Sequence, residues 1–205
     1  INMCGILGFI HNDKELKLSH FQSMLNSIRY RGPNDDGLWV VKEAEQQIGL
    51  AHKRLSIIDL SREGHQPMIS SSGRFVIVFN GEIYNHFELR NKLSRKGKNL
   101  KSYGDTATLA ACFDEWGIQK TIDQLDGMFA IGAWDQHENC LSLIRDFAGI
   151  KPLFYGWKGE TLVFASQYNQ VSRHPAFHNE PINQEVLKLY LMQHFFPAPF
   201  GLLKN

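Results

Sequence analysis

Short apolar runs punctuate the chain at 5–10, 38–41, 48–55, 75–79, 128–134, 141–144, 153–157 and 162–165. Their lengths, their β-branched and aromatic content, and the Gly, Asp and Asn between them predict strands. Several are near-continuous in hydrophobicity, which implies burial on both faces and covering layers outside them. Helical spacing occurs elsewhere. Ser19 precedes Phe21, Met24, Leu25 and Ile28, and 86–93 carries Leu89 and Leu93. Asp105 stands ahead of Leu109, Cys112, Phe113 and Trp116, with Gly117 as a stop and a further short turn at 121–125. The runs 128–134 and 141–144, joined by polar residues, predict a hairpin. Together these elements predict a layered α+β fold, antiparallel sheets packed together and flanked by helices. After Gln170 the composition turns to His, Asn and Pro, and 184–195 reads as a last helix before Pro197-Ala198-Pro199. Residues 4–172 are therefore expected to form a domain, with 173–205 as a connector leading out of it.

Composition narrows the classes of function. The 205 residues are 43% hydrophobic and 21% charged, ordinary for a globular protein with one sizeable domain. The formal net charge of +1 offers no global attraction to nucleic acid or an anionic membrane. The basic run Arg95-Lys96-Gly97-Lys98 is read as a solvated helix end. The apolar start at 1–10 has no basic segment and soon meets Asn12-Asp13-Lys14-Glu15, so it reads as a buried strand rather than a signal or membrane span. Cys4, Cys112 and Cys140 are odd in number and widely spaced, which suits a reducing compartment. A soluble, cytoplasmic protein without nucleic-acid or membrane partners is expected.

Four places could carry chemistry. Cys4 lies almost at the start, where a thiol and an α-amino group could share one neighbourhood; such an amine titrates near neutral pH and suits a general base. Taken alone, Cys4 reads as a buried strand cysteine. Asn80-Gly81 follows an apolar run, and an Asn side-chain N–H with a Gly backbone N–H can face one developing oxyanion. In isolation the pair reads as an ordinary Asn-Gly turn. Arg54 closes another apolar run and suits a planar carboxylate, or is a surface arginine. Asp105 could accept bonds from a substrate ammonium, cap a helix, or do both. His174 and His178 have i, i+4 spacing, but Pro175 between them argues against a helix, so no metal site is expected. The Gly-rich stretches lack a phosphate-loop pattern.

In combination these signals are specific. Met3-Cys4-Gly5-Ile6, Arg31-Gly32-Pro33-Asn34, Arg54-Leu55-Ser56-Ile57-Ile58-Asp59 and Asn80-Gly81-Glu82-Ile83-Tyr84-Asn85 occur in that order. Gly104-Asp105-Thr106, Leu125-Asp126-Gly127-Met128-Phe129-Ala130 and the block from Arg145 to Leu153 follow. From Met3 to about Ser172 the chain resembles the class II glutamine amidotransferase domain, most closely that of glutamine-hydrolysing asparagine synthetases.

The resemblance implies an N-terminal-nucleophile hydrolase fold, a four-layer αββα sandwich with antiparallel sheets. It implies that Cys4 attacks the glutamine carboxamide, with the Asn80 side chain and Gly81 N–H holding the oxyanion. Arg54 would bind the α-carboxylate, Glu82 and Asp105 the α-ammonium, and 54–60 would close over glutamine. Arg31-Gly32-Pro33 and the Arg145–Leu153 block look architectural. No cofactor is implied for this domain. ATP and magnesium would serve a synthetase domain of the full-length chain, whose Ser-Gly-Gly-x-Asp-Ser loop does not occur in the sequence. Ammonia would pass to that domain, with aspartate as the default acceptor and another carboxylate, such as a sugar acid, as the alternative; a homodimer is left open. Family members lose Met to expose Cys, whereas Ile1 and Asn2 precede Met3 here. With them in place Cys4 has an amide rather than an amine, and impaired turnover is expected; a non-catalytic glutamine-binding module is the rival if they are native. The chain also departs from the pattern at Gly104, Ala107, Phe147-Ala148 and Gln167.

Overall fold

The computed structural model describes residues 3–12, 16–43, 46–56, 61–100, 102–196 and 200–204. Ile1-Asn2, most of the loop expected to close over glutamine (57–60) and Pro197–Pro199 lie outside the described residues.

Among the described residues, nine strands form two antiparallel sheets. One sheet contains β1 (Gly5–His11), β2 (Asp35–Glu43), β3 (Gln46–Arg54), β8 (Phe154–Lys158) and β9 (Thr161–Ala165), ordered β2-β3-β1-β9-β8. The other contains β4 (Met68–Ile69), β5 (Phe75–Ile83), β6 (Gly127–Asp135) and β7 (Cys140–Arg145) in sequence order. Helices α1 (Leu18–Asn26) and α4 (Tyr168–Arg173) cover the first sheet, and α2 (His86–Arg95) and α3 (Asp105–Ile122) the second. A last helix, α5 (Gln184–Gln193), is capped by the Asn183 side chain. The four-layer αββα sandwich expected from the sequence is the architecture observed.

Three apolar clusters correspond to the three interlayer spaces, as the near-continuous apolar strands require. Leu7, Phe9 and Ala51 meet Phe21, Leu25 and Ile28 outside the first sheet. Ile77, Phe79 and Ile131 meet Leu89, Leu109 and Phe113 outside the second. Ile6, Ile48, Leu50, Val76, Val78, Trp134 and Phe164 fill the space between the sheets. Phe164 reaches across that space because two glycines leave room: a Cβ would lie 2.2 Å from its ring at Gly8 and 2.5 Å at Gly132.

Boundaries differ from the sequence expectation at two informative places. The run at 75–79 continues as strand through Asn80 and Gly81 to Ile83, paired with Gly127 to Asp135. Asn80-Gly81 is thus neither a turn nor a strand end, because cross-strand pairing outweighs the weak turn preference of the dipeptide. Gly117 has φ 76° and breaks α3 in two, so the expected stop is a kink, with the second piece continuing to Ile122. His174 is wholly buried and His178 exposed, so the two do not converge.

Candidate active site

Side chains alternate along a strand, so the clusters fix which parity faces inward. Ile6 on β1, Ile48 and Leu50 on β3, and Val76 and Val78 on β5 face the space between the sheets. Cys4, Arg54, Asn80 and Glu82 continue the same even-numbered parity at one end of the sandwich. One cavity there is lined by Cys4, Arg54, Asn80, Gly81, Glu82 and Asp105, so the fold unites all six candidate residues. Gln66, Ser102, Thr106 and Lys151 line it as well.

Cys4 sits just ahead of β1, beside the end of β3, where Gly5 pairs with Lys53. Its Sγ accepts the Leu55 N–H at 3.3 Å and lies 3.6 Å from the Leu55 carbonyl. The Arg31 Nε donates to the Cys4 carbonyl at 3.0 Å, and Gly32 packs so closely on the end of β3 that a Cβ would lie 2.5 Å from the Lys53 carbonyl carbon. The Arg31-Gly32-Pro33 block therefore clamps the nucleophile candidate against Arg54. Burial pushes the Cys4 thiol above its ordinary value; the Leu55 N–H, Arg54 and Lys151 pull the other way, and Asp105 adds to the rise.

Across the gap, Asn80 is 1% exposed and its Nδ2 has no hydrogen-bond partner. Such an orphan donor is uncommon in a buried side chain and marks a place where an acceptor belongs. The register supplies a second donor. Phe129, opposite Gly81, uses both backbone groups on Asp146: its N–H reaches Oδ2 at 3.1 Å, and its carbonyl accepts the Asp146 N–H at 2.8 Å. The Gly81–Phe129 pair is therefore non-hydrogen-bonded, and the Gly81 N–H points to the opposite edge of β5. There β4 pairs only with Val76 and Ile77. On that edge the Phe79 N–H goes to Gln66 Oε1 at 2.6 Å and the Ile83 N–H to Asp105 Oδ2 at 3.2 Å. The Gly81 N–H lies between them, at the cavity. Glycine is needed there for the neighbouring strand: a Cβ would lie 2.4 Å from the Met128 carbonyl oxygen.

Arg54 is buried, donates to the Ser61 carbonyl at 2.8 Å and lies flat over Gly64, where a Cβ would meet its Nη2 at 2.1 Å. Asp105 is the first residue of α3; Oδ1 accepts the Thr106 N–H at 2.8 Å and Oδ2 the Ile83 N–H. The N-cap position is Gly104, without a side-chain cap bond, so Asp105 is not the cap the sequence allowed; it ties the first turn of α3 to β5 while each oxygen keeps a lone pair. Burial raises its proton affinity, and the two N–H bonds oppose that rise. His52 lies wholly between the sheets, its Nε2 3.1 Å from the Phe79 carbonyl, and burial pushes it down to about 3, so it is neutral.

Gln66 and Lys151 are among the lining residues to which sequence reasoning gave no role. Gln66 bridges β5 and α3, with Oε1 on Phe79 and Nε2 3.3 Å from Thr106 Oγ1; a lone glutamine ahead of proline carries no periodic signal. Lys151 stood inside a block read as architecture. Three departures from the family pattern also find places. Ser102 Oγ accepts the Gly104 N–H at 3.1 Å, Gln167 accepts the Tyr30 hydroxyl at 2.6 Å, and Phe147 is fully exposed.

A glutamine amidotransferase domain family matches residues 3–205. The chain is 32% identical over 204 residues to asparagine synthetase (glutamine-hydrolysing) 1 of Bacillus subtilis, covering 98% of this chain and 31% of that protein. It is 37% identical over 177 residues to asparagine synthetase (glutamine-hydrolysing) 2 of the same organism, covering 84% and 23%. The chain spans less than half the length of the curated relatives it matches. Among solved structures, glutamine phosphoribosylpyrophosphate amidotransferase from B. subtilis aligns with TM-score 0.66 and 20% identity, over 82% of this chain and 42% of that one. That likeness assigns the N-terminal-nucleophile hydrolase fold. Among the described residues no helix is long and apolar enough to cross a membrane.

Proposed function

The chain belongs to the glutamine amidotransferase domain family, and on that premise we propose that its cavity hydrolyses the side-chain amide of glutamine through a thioester on Cys4. The observation that carries the reading is the buried, partnerless Asn80 Nδ2 on the same cavity as the Cys4 thiol. The thiolate attacks the carboxamide carbon, and the oxyanion forms between Asn80 Nδ2 and the Gly81 N–H. Burial keeps the thiol protonated at neutral pH, so a base must take its proton. In a chain processed to begin at Cys4, the α-amine does so and returns the proton to the departing ammonia. Water then cleaves the thioester, releasing glutamate and restoring the thiol. Arg54 holds the substrate α-carboxylate, and Asp105 with Glu82 its α-ammonium.

The ammonia serves a synthetase domain of a longer chain, where ATP and magnesium activate the acceptor, with aspartate favoured by the names of the relatives. Residues 4–172 then form the glutaminase unit and 173–205 lead toward that domain, in a cytoplasmic protein. Cys4→Ala should abolish ammonia release while calorimetric titration still detects glutamine. Turnover close to wild type in that variant would overturn the nucleophile assignment. Binding without any turnover by the processed wild-type chain would instead mark a glutamine-binding module.

A further inference from the structure

The loop after β7 carries the Arg145–Leu153 block, to which the sequence attaches no chemistry, and its backbone is fixed from both sides. Asp146 accepts the N–H groups of Ile150 at 2.8 Å and Lys151 at 3.0 Å. Arg145 donates to the carbonyls of Lys151 at 2.7 Å and Gly149 at 2.6 Å, with Gly149 at φ 64°. The result is to hold one side chain in the cavity. Lys151 is 8% exposed and lines the same cavity as Cys4, and its Nζ lies 3.6 Å from Met3 Sδ. No carboxylate among the described residues pairs with it. An ammonium withdrawn from water without a counter-anion is costly, and here it sits beside the residue that precedes the nucleophile.

We propose that Lys151 is a positioning residue for the charge on Cys4, its ammonium favouring the thiolate over the thiol and, after processing to Cys4, the neutral amine over its protonated form. This rests on the reading of Cys4 as nucleophile. A nearby cation stabilises an anion and disfavours a second cation, so both effects prepare the same proton transfer. Arg54 also favours the thiolate before substrate binds, and the remaining groups around Cys4 act differently. Arg31 is bonded to the Cys4 carbonyl, Arg54 is matched by the substrate carboxylate during turnover, and His52 is neutral. Glu82 and Asp105 act against the thiolate. With glutamine bound, Lys151 is the lining cation left without a counter-anion among the described residues.

The test compares Lys151→Met and Lys151→Arg in a Cys140→Ser background, which removes the exposed thiol. Without glutamine, iodoacetamide alkylation of Cys4 is followed against pH by peptide mass spectrometry. Lys151→Met should raise the midpoint and slow alkylation at pH 7 by roughly threefold to tenfold, an opposite charge at close range being worth about that or more. Lys151→Arg should stay near wild type. If Lys151→Met does not fold, Lys151→Gln gives the same readout. An unmoved midpoint in a folded neutral variant overturns the proposal, as does an equal shift in Lys151→Arg. Complete alkylation of Cys4 that leaves ammonia release intact would instead sink the nucleophile reading itself.

Discussion

Asn80→Ala removes an amide whose Nδ2 is buried between the sheets without a hydrogen-bond partner. Two consequences pull apart in magnitude. If the amide receives the oxyanion, its loss should lower kcat by about 10²–10³, or about 2.7–4 kcal/mol, the usual worth of one such donor. The Gly81 N–H remains, which keeps the loss from being larger. Glutamine binding should change little, because the donor strengthens its bond only as charge develops. Stability should also change little. A buried donor left unsatisfied costs about 1–3 kcal/mol, and removing it offsets the packing lost with the side chain. The assays are ammonia release under saturating glutamine and urea unfolding of the free protein. A kcat within tenfold of wild type would refute the oxyanion role. A drop of several kcal/mol in unfolding free energy would show instead that the amide supports the fold.

Gly81→Ala forces a Cβ to within 2.4 Å of the Met128 carbonyl oxygen, so the β5–β6 pairing must open; a loss of about 1–3 kcal/mol should appear as a lower Tm together with lost activity. His52, held near 3 by burial while the unfolded chain titrates near 6.5, contributes stability present above pH 6.5 and lost as pH falls toward 3. Urea unfolding of wild type should therefore lose roughly 2 kcal/mol from this group between pH 6.5 and 5, and His52→Gln should show a correspondingly shallower pH dependence. Equal slopes would refute that account. Capping the amine or carboxylate of glutamine should lower kcat/KM by on the order of 10⁴, since Arg54 or Asp105 would lose the substrate charge it binds; comparable values for glutamine and a capped analogue would contradict those roles.

Much of the molecule was legible before any coordinates. Near-continuous apolar runs of strand length predicted covered antiparallel sheets packed together, because burial on both faces leaves little freedom in how strands stack. The ordered motifs pointed to Cys4, Arg54, Asn80, Gly81, Glu82 and Asp105, which all line one cavity. That convergence needed the register: Cys4 and Arg54 come from one sheet, Asn80 and Glu82 from the other, and only the pairing of Gly5 with Lys53 and of Gly81 with Phe129 aligns their ends. The orphan amide of Asn80, the direction of the Gly81 N–H, the bridge made by Gln66 and the charge of Lys151 beside Met3 were decided by tertiary structure alone. Each depends on which neighbour satisfies which polar group across long sequence separations. Local propensity and spacing constrain a residue's own backbone, and they carry no information about a partner fifty or a hundred and fifty residues away.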